Sequence, residues 1–130
     1  MLVTLSGRDR PGITRDLFTA CSAQPVEVTD VDQIVMRDRL TIAASVDGAR
    51  AHLEKLRPAI EELAHRLAMD YAISIEEGAA TSTHNLGVPH FQVTMMSARL
   101  VPEATARSTD VIADNGGDIA RIGRMPGAPV

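Results

Sequence analysis

The feature that most constrains this chain is a turn rich in glycine and proline close to its start. Residues 2–6 form a short apolar run, residues 7–12 have the sequence Gly-Arg-Asp-Arg-Pro-Gly, and apolar residues at helical spacing begin with Ile13. Glycine permits positive φ and a close backbone approach, and proline is tolerated in the first turn of a helix. The stretch therefore predicts a strand, a tight turn and a helix N-terminus in immediate succession.

This turn contains groups that suit a small charged ligand. The first N–H groups of a helix lack partners and lie in a positive dipole field, which suits a carboxylate. Asp9 could accept a hydrogen bond from a ligand ammonium, or it could cap the helix, in which case the stretch is only a turn and a cap. The binding alternative predicts these ligand-binding residues: Gly7, Asp9, Pro11, Gly12 and Ile13.

Composition restricts the class of protein. The 130 residues are 45% hydrophobic, 23% charged and 2% aromatic, with a net charge of −4, which is typical of one soluble globular domain or two very small ones. The lack of a basic footprint and of aromatic stacking residues argues against nucleic acid and anionic lipid as partners. No apolar run is long enough to span a membrane and no signal peptide is evident, so we expect a cytoplasmic protein.

Side chains with catalytic or metal-binding chemistry form no recognisable pattern. The single cysteine, Cys21, excludes an internal disulfide, and its helical spacing predicts buried packing. Residues 30–32 have an Asp-x-Asp pattern, which we expect to be two solvated carboxylates. His84 and His90 lack further fixed ligands for a metal. We therefore predict no catalytic residue, no metal site and no cofactor in this chain.

Apolar spacing predicts six elements in the order βαββαβ. Strands are predicted at 1–6, 26–35, 40–46 and 71–75, with one helix that begins near residue 13 and another that follows residue 47. A hairpin turn is expected at 37–39. In the second strand the alternation puts Val26, Val28 and Asp30 on one face. Asp47 is the expected helix cap, and Pro58 predicts a kink or a helix that starts only near Arg57.

The pattern then restarts and stops halfway. Residues 78–89 are rich in Gly, Ala, Ser and Thr and predict a linker. A strand is expected at 91–96, a helix from Pro102 to the Asn-Gly-Gly at 115–117, and a strand at 118–122. This predicts a first domain at 1–77, a linker at 78–89 and a truncated second copy at 90–130.

The first copy resembles an ACT domain. The element order, the turn at 7–13 and the Val-Glu-Val at 26–28 carry the resemblance, although Pro25 stands where the family has a glycine. More narrowly, residues 6–13, 31–41 and 73–76 resemble the tandem-ACT N-terminal region of actinobacterial phosphoserine phosphatases. The second copy is degenerate, since the turn at 97–102 lacks the glycine and aspartate.

The resemblance implies a fold and a ligand site. The fold is α+β, a ferredoxin-like βαββαβ sandwich with sheet order 4-1-3-2, followed by an incomplete βαβ copy. The ligand, expected to be L-serine, would lie where the turn faces the start of the second strand of a neighbour, at residues 26–29 or at Asp118, with Ser97 in the degenerate turn. A homodimer through the sheets is also expected.

The same strand order restricts the second copy. Its first and second strands are not neighbours in that order, so residues 90–130 cannot form a continuous sheet alone. We therefore expect them to be completed by another chain, to pack on the first domain, or to be poorly ordered.

The implied function is regulation. The chain would be the amino-acid-binding region of a phosphoserine phosphatase, whose complete form hydrolyses O-phospho-L-serine to L-serine and phosphate with Mg²⁺, with its catalytic residues beyond Val130. Two alternatives remain open: a free-standing tandem-ACT regulatory protein, and the ACT front end of another enzyme such as formyltetrahydrofolate deformylase.

Overall fold

A computed structural model describes residues 1–77 and 89–124. The chain divides into two compact units, Met1–Val88 and Pro89–Val130. The elements of the first unit are β1 (Leu2–Arg8), α1 (Ile13–Cys21), β2 (Glu27–Met36), β3 (Arg39–Asp47), α2 (Arg50–Leu67) and β4 (Asp70–Ser74); the second unit has α3 (Pro102–Asp114).

The first unit is an antiparallel sheet covered on one face by two helices. The strand order is β2-β3-β1-β4, which confirms the predicted 4-1-3-2 arrangement and the ferredoxin-like βαββαβ fold. Alternate residues of β1 and β3 pack against stripes of α1 and α2. Each such aliphatic side chain contributes about 1.5–3 kcal/mol when it leaves water. The core consists of Met1, Val3, Leu5, Ile13, Leu17, Cys21, Leu40, Ile42, Ala44, Val46, Leu53, Leu56, Ile60, Leu63, Ala64 and Met69.

The other side of the sheet, here called the open face, carries small and polar residues. Thr4 and Ser6 of β1 and Thr41 and Ser45 of β3 are partly exposed there, between buried neighbours. The Ser6 and Thr41 hydroxyls, which are paired across the strands, lie 3.2 Å apart. Residues of β1 and β3 thus alternate between the buried face and the open face, as a half-buried strand requires.

A β-bulge corrects the predicted faces of β2. Val28 pairs with Val46, whereas Asp30 pairs with Ser45, so Thr29 is an extra residue in this strand. Because Val46 is buried and Ser45 lies on the open face, Val28 points toward the helices and Asp30 points away from them. The prediction that Val28 and Asp30 share a face is wrong, since one extra residue reverses the alternation.

One prediction about α2 is wrong, and one of the two alternatives for Pro58 is excluded. Ala49 is its N-cap residue without a side-chain cap, and Asp47 ends β3 instead of capping the helix. The helix continues through Pro58, so it does not start near Arg57. Leu53 and Leu56, which precede the proline, are 6% and 0% exposed, and their burial outweighs the hydrogen bond that proline removes.

The second unit contains the predicted helix but not the predicted strands. Helix α3 begins at Pro102, and Gly116 follows its end with φ 74°, as expected. Within 89–124 no strand is formed, so the predictions at 91–96 and 118–122 are wrong there. In the order seen in the first unit, the first and second strands of a copy do not touch, so neither can pair the other's backbone. The linker prediction falls almost wholly on 78–88, outside the described residues, and stays a prediction.

Candidate functional site

The turn between β1 and α1 leaves the N-terminus of α1 without a side-chain cap. Gly12 is the N-cap residue, in the left-handed conformation with φ 97° and ψ −11°. Its carbonyl accepts the first helical hydrogen bond, from the Asp16 N–H at 2.9 Å. The N–H groups that precede Asp16 point out of the helix end with no side chain bound to them in the described part of the chain. They are donors for an anion such as a carboxylate.

Asp9 lies in this turn as an exposed residue. Its carboxylate does not cap α1, so the capping alternative is not realised in this structure. Pro11 is exposed as well, and Gly12 is partly exposed. A ligand could therefore reach the carboxylate and the helix end from solvent. This arrangement offers one carboxylate and several backbone N–H donors to a charged ligand.

Two hydrogen bonds hold the turn in place. The backbone N–H of Asp9 donates to the carbonyl oxygen of Asp38, in the hairpin between β2 and β3, at 2.8 Å. The Arg10 guanidinium donates to the carbonyl oxygen of Leu67, the last residue of α2. The turn is thus held to the hairpin between β2 and β3 and to the end of α2. This anchoring reduces the conformational entropy that the turn would lose when a ligand binds.

Two of the predicted site residues belong to the core. Gly7 lies within β1 and is buried, and a Cβ there would lie 2.8 Å from the Met69 Cγ. Ile13 is 1% exposed. Gly7 therefore serves close packing, and Ile13 could meet a ligand only through its backbone N–H.

The sequence analysis missed a polar contact between α1 and β2. The Thr14 hydroxyl donates to the Gln33 side-chain oxygen at 2.6 Å, which fixes the first turn of α1 beside the second half of β2. Gln33 pairs with the buried Ile42, so it lies on the helix side of the sheet. The sequence carried no signal for this contact, because the bulge that turns Gln33 toward the helices leaves no clear pattern in the residues.

The predicted residues of the second unit, Ser97 and Asp118, are both exposed. The Ser97 hydroxyl donates to the Arg99 carbonyl oxygen at 2.7 Å, so its hydrogen serves its own turn. Asp118 follows the end of α3. The ligand-binding role of these two residues stays a prediction.

The other side chains considered from the sequence bind no common group. Asp30 accepts a hydrogen bond from the Val31 N–H at 2.8 Å and is exposed. Cys21 is buried, and burial raises the pKa of its thiol. Across 1–77 and 89–124, no three His, Cys, Asp or Glu side chains are placed to hold a metal ion. None of the helices there is both long and apolar enough to cross a bilayer.

A concave pocket lies at the other end of the sheet, near the start of β1. It has a volume of about 660 Å³, with an apolar floor that includes Leu2 and Leu53. Arg50 lies at its edge and pairs with Glu77 at 2.6 Å and with Glu54 at 3.3 Å. The turn at 7–13 contributes nothing to it, so the two features are independent.

Comparison with known proteins identifies the first unit. A sequence model of the ACT domain matches residues 1–74. The chain belongs to the ACT domain family. The resemblance stated from the turn and the element order is thereby confirmed.

Two further comparisons describe relatives of this ACT domain. The chain is 34% identical, over 131 aligned residues and all of its length, to a phosphoserine phosphatase of Streptomyces coelicolor, and it spans 31% of that protein's length. An ACT domain protein from Streptococcus pneumoniae shares the fold, with a TM-score of 0.50 and 22% identity over 56% of this chain and 84% of that chain.

A formyltetrahydrofolate deformylase from Pseudomonas putida shares the fold as well. Its TM-score is 0.52, with 14% identity over 58% of this chain and 28% of that chain. At this identity the likeness concerns the fold alone.

Proposed function

We propose that this chain is a regulatory ACT region that binds a small amino acid, L-serine, and that it belongs to a phosphoserine phosphatase of the cytoplasm. The observation that carries the binding proposal is the uncapped N-terminus of α1 beside the exposed Asp9. The identity of 34% over the whole chain supports the proposed parent enzyme. The proposal assigns the catalytic residues, and the Mg²⁺ they would use, to sequence outside these 130 residues.

The turn offers both charges that an α-amino acid needs. The ligand carboxylate would accept hydrogen bonds from the N–H groups that follow Gly12, where the helix dipole favours negative charge. The ligand ammonium would donate to the Asp9 carboxylate, a charge-assisted hydrogen bond. The anchoring of the turn to Asp38 and Leu67 supports the proposal, since the binding groups are held in place before the ligand arrives.

A second chain would supply the far wall of the site. Within the described residues the backbone of β2 pairs with β3 alone, so the other edge of this ten-residue strand has no strand beside it. Exposed apolar side chains also lie on β2, since Val31, Ile34, Val35 and Met36 are 46–65% exposed. We propose that two chains pair through this edge in antiparallel fashion. That pairing would set the start of one β2 beside the end of the other, where the Thr14–Gln33 contact holds the N-terminus of α1.

Regulation would follow from this shared site. A ligand that contacts both chains binds the paired form more tightly than the separate chains, so it shifts the population toward pairing. The catalytic domains attached to the paired regions would then change their relative arrangement. In this way, ligand binding to this region would control a reaction that the catalytic domains perform.

Calorimetry with L-serine tests the binding proposal. We expect heat of binding for the wild-type chain and a loss of about tenfold in affinity, ~1.4 kcal/mol, for Asp9→Asn. Asp47→Asn is the matched control, since it removes the same charge at the other end of the sheet. A folded wild-type chain that gives no heat with serine or other amino acids would contradict the proposal.

Light scattering tests the pairing. We expect a dimer that serine stabilises and that Ile34→Lys dissociates, because a charge on an exposed edge opposes strand pairing. Leu2→Lys is the control, since Leu2 is 51% exposed but lies on β1, away from that edge. A chain that stays monomeric under all conditions would contradict the proposal that a second chain supplies the far wall of the site.

The sequence that follows Val130 in the reading frame distinguishes the possible parent enzymes. An Asp-x-Asp-x-Thr motif beyond Val130 would support a phosphatase, and a formyltransferase-like domain would support the deformylase alternative. The shared fold with the deformylase does not favour that alternative, because unrelated functions use the same fold.

A further inference from the structure

Four arginines meet at one end of the sheet. Arg8 and Arg10 flank Asp9 at the end of β1, while Arg37 and Arg39 flank Asp38 in the hairpin between β2 and β3. The hydrogen bond from the Asp9 N–H to the Asp38 carbonyl oxygen joins the two segments directly. Four arginines that lie in two separate segments of the sequence are thereby brought to the same end of the sheet.

Arg8 and Arg39 are direct partners across β1 and β3. Paired residues of antiparallel strands lie about 4.5–5.5 Å apart at their Cα atoms and share a face, here the open face that carries Ser6 and Thr41. Like charges directly opposite one another destabilise a sheet. An anion bound between the two guanidinium groups would remove this repulsion.

The ion pairing available within the chain leaves these cations incompletely neutralised. Arg39 has one carboxylate partner, Asp70 at 3.7 Å, with side chains 61% and 90% exposed, and such a pair is weak. The side chains of Arg8 and Arg37 form no hydrogen bond or ion pair with any residue in the described part of the chain. Arg37 and Asp38 both have positive φ, 47° and 62°, as a two-residue turn between antiparallel strands requires, so Arg37 lies at the tip of the hairpin.

The surroundings concentrate positive potential at this end. The chain as a whole has a net charge of −4, and the opposite end of the sheet carries Asp47, Glu76 and Glu77 against Arg50. Asp9 and Asp38, each flanked by two arginines, and Asp70 beside Arg39 reduce the local positive charge, and the four arginines exceed these three carboxylates by one charge. An anion would therefore be attracted to this end of an otherwise acidic domain.

We propose that Arg8, Arg37 and Arg39 form a binding site for a phosphate group on the open face, separate from the amino-acid site at α1. Arginine forks bind phosphate oxygens in bidentate fashion, and the hydrogen-bonded Ser6 and Thr41 hydroxyls next to the Arg8–Arg39 pair leave one further donor for the anion. The ligand is inorganic phosphate or a small phosphate monoester. Arg10 is not part of the site, since its guanidinium holds the Leu67 carbonyl oxygen.

Amide NMR titration of the 130-residue chain tests this site with two probes, inorganic phosphate and O-phosphoserine. Both are expected to shift the amides of Ser6, Arg8, Arg39 and Thr41. Shifts with O-phosphoserine alone would identify a site for a phosphate monoester. Shifts with both probes at equal affinity would show that the phosphate group alone determines binding. Each of these outcomes supports the proposal. No shift at these amides with either probe would overturn it.

Substitutions separate a site from general charge. Arg8→Gln and Arg37→Gln are each expected to weaken phosphate binding about tenfold, whereas Arg50→Gln, which removes the same charge at the other end, changes it less than twofold. Asp70→Asn is expected to tighten binding, since it releases Arg39. Equal weakening by all three arginine variants would overturn the proposal. Titration with L-serine reports on the separate α1 site, so failure of one proposal is distinguishable from failure of the other.

Discussion

Gly7 and Met69 approach each other so closely that a Cβ added to Gly7 would lie 2.8 Å from the Met69 Cγ. Met69 is 6% exposed and belongs to the core, immediately before β4. The glycine that opens the turn motif therefore serves the packing of β1 against the segment that follows α2. Gly7 is therefore explained by packing of the sheet and not by contact with a ligand.

Gly7→Ala is expected to destabilise the domain by about 1–3 kcal/mol, because the new methyl group displaces a packed core side chain. Urea unfolding measures the change. In the background of Met69→Ala the same substitution should cost less, since the Met69 Cγ is gone and the nearest remaining atom is its Cβ, at 3.3 Å. Equal costs in the two backgrounds would show that the contact with Met69 is not the cause.

Gly12→Ala is expected to cost about 1–2 kcal/mol, the penalty of a left-handed conformation for a residue with a Cβ. Gly12 has φ 97°. Gly12→Asn should cost less, because asparagine tolerates this region. Gly123→Ala is the control, as its Cβ would meet no atom within 4 Å and its φ is not in the left-handed region. Equal stability of the alanine and asparagine variants would contradict this explanation.

Arg10→Gln is expected to lower the free energy of unfolding by about 1 kcal/mol and to loosen the turn, since a cation at a helix C-terminus is favourable. Its guanidinium donates to the Leu67 carbonyl oxygen at the end of α2. Arg50→Gln is the matched control, because Arg50 is an exposed arginine at the other end of the sheet, away from the turn. Hydrogen exchange of residues 9–12 should accelerate in the first variant and not in the second.

Cys21 predicts a loss of stability at high pH. Burial raises the pKa of its thiol above the ordinary value of 9.0, so the unfolded chain loses this proton at a lower pH than the folded chain does. The stabilisation is complete below pH 9.0 and declines as pH rises through the window up to the folded pKa. Denaturation at pH 7.5 and 10 should show a larger decrease for wild type than for Cys21→Ala. An identical decrease would exclude the thiol as the source.

Local patterns predicted the helices and the main strands because each depends on residues close in sequence. The alternation in β1 and β3 and the stripe of α2 survive in the structure as buried residues on one side. The faces of β2 were not predictable, because the extra residue Thr29 has no distinctive side chain. The strands of the second unit failed for the opposite reason: their local pattern is adequate, but a strand needs a neighbour to pair its backbone.

The sequence by itself determined the element order of the first unit and the turn at 7–13, which follow from local spacing and from residues with special backbone conformations, and it carried the resemblance to the family. The tertiary structure alone decided what the turn residues do. It buried Gly7 against Met69, left α1 uncapped, and tied Asp9 and Arg10 to carbonyl oxygens of Asp38 and Leu67, the latter 57 positions away. Hydrogen bonds between distant segments depend on how strands and helices are stacked, and no local pattern of residues encodes that stacking.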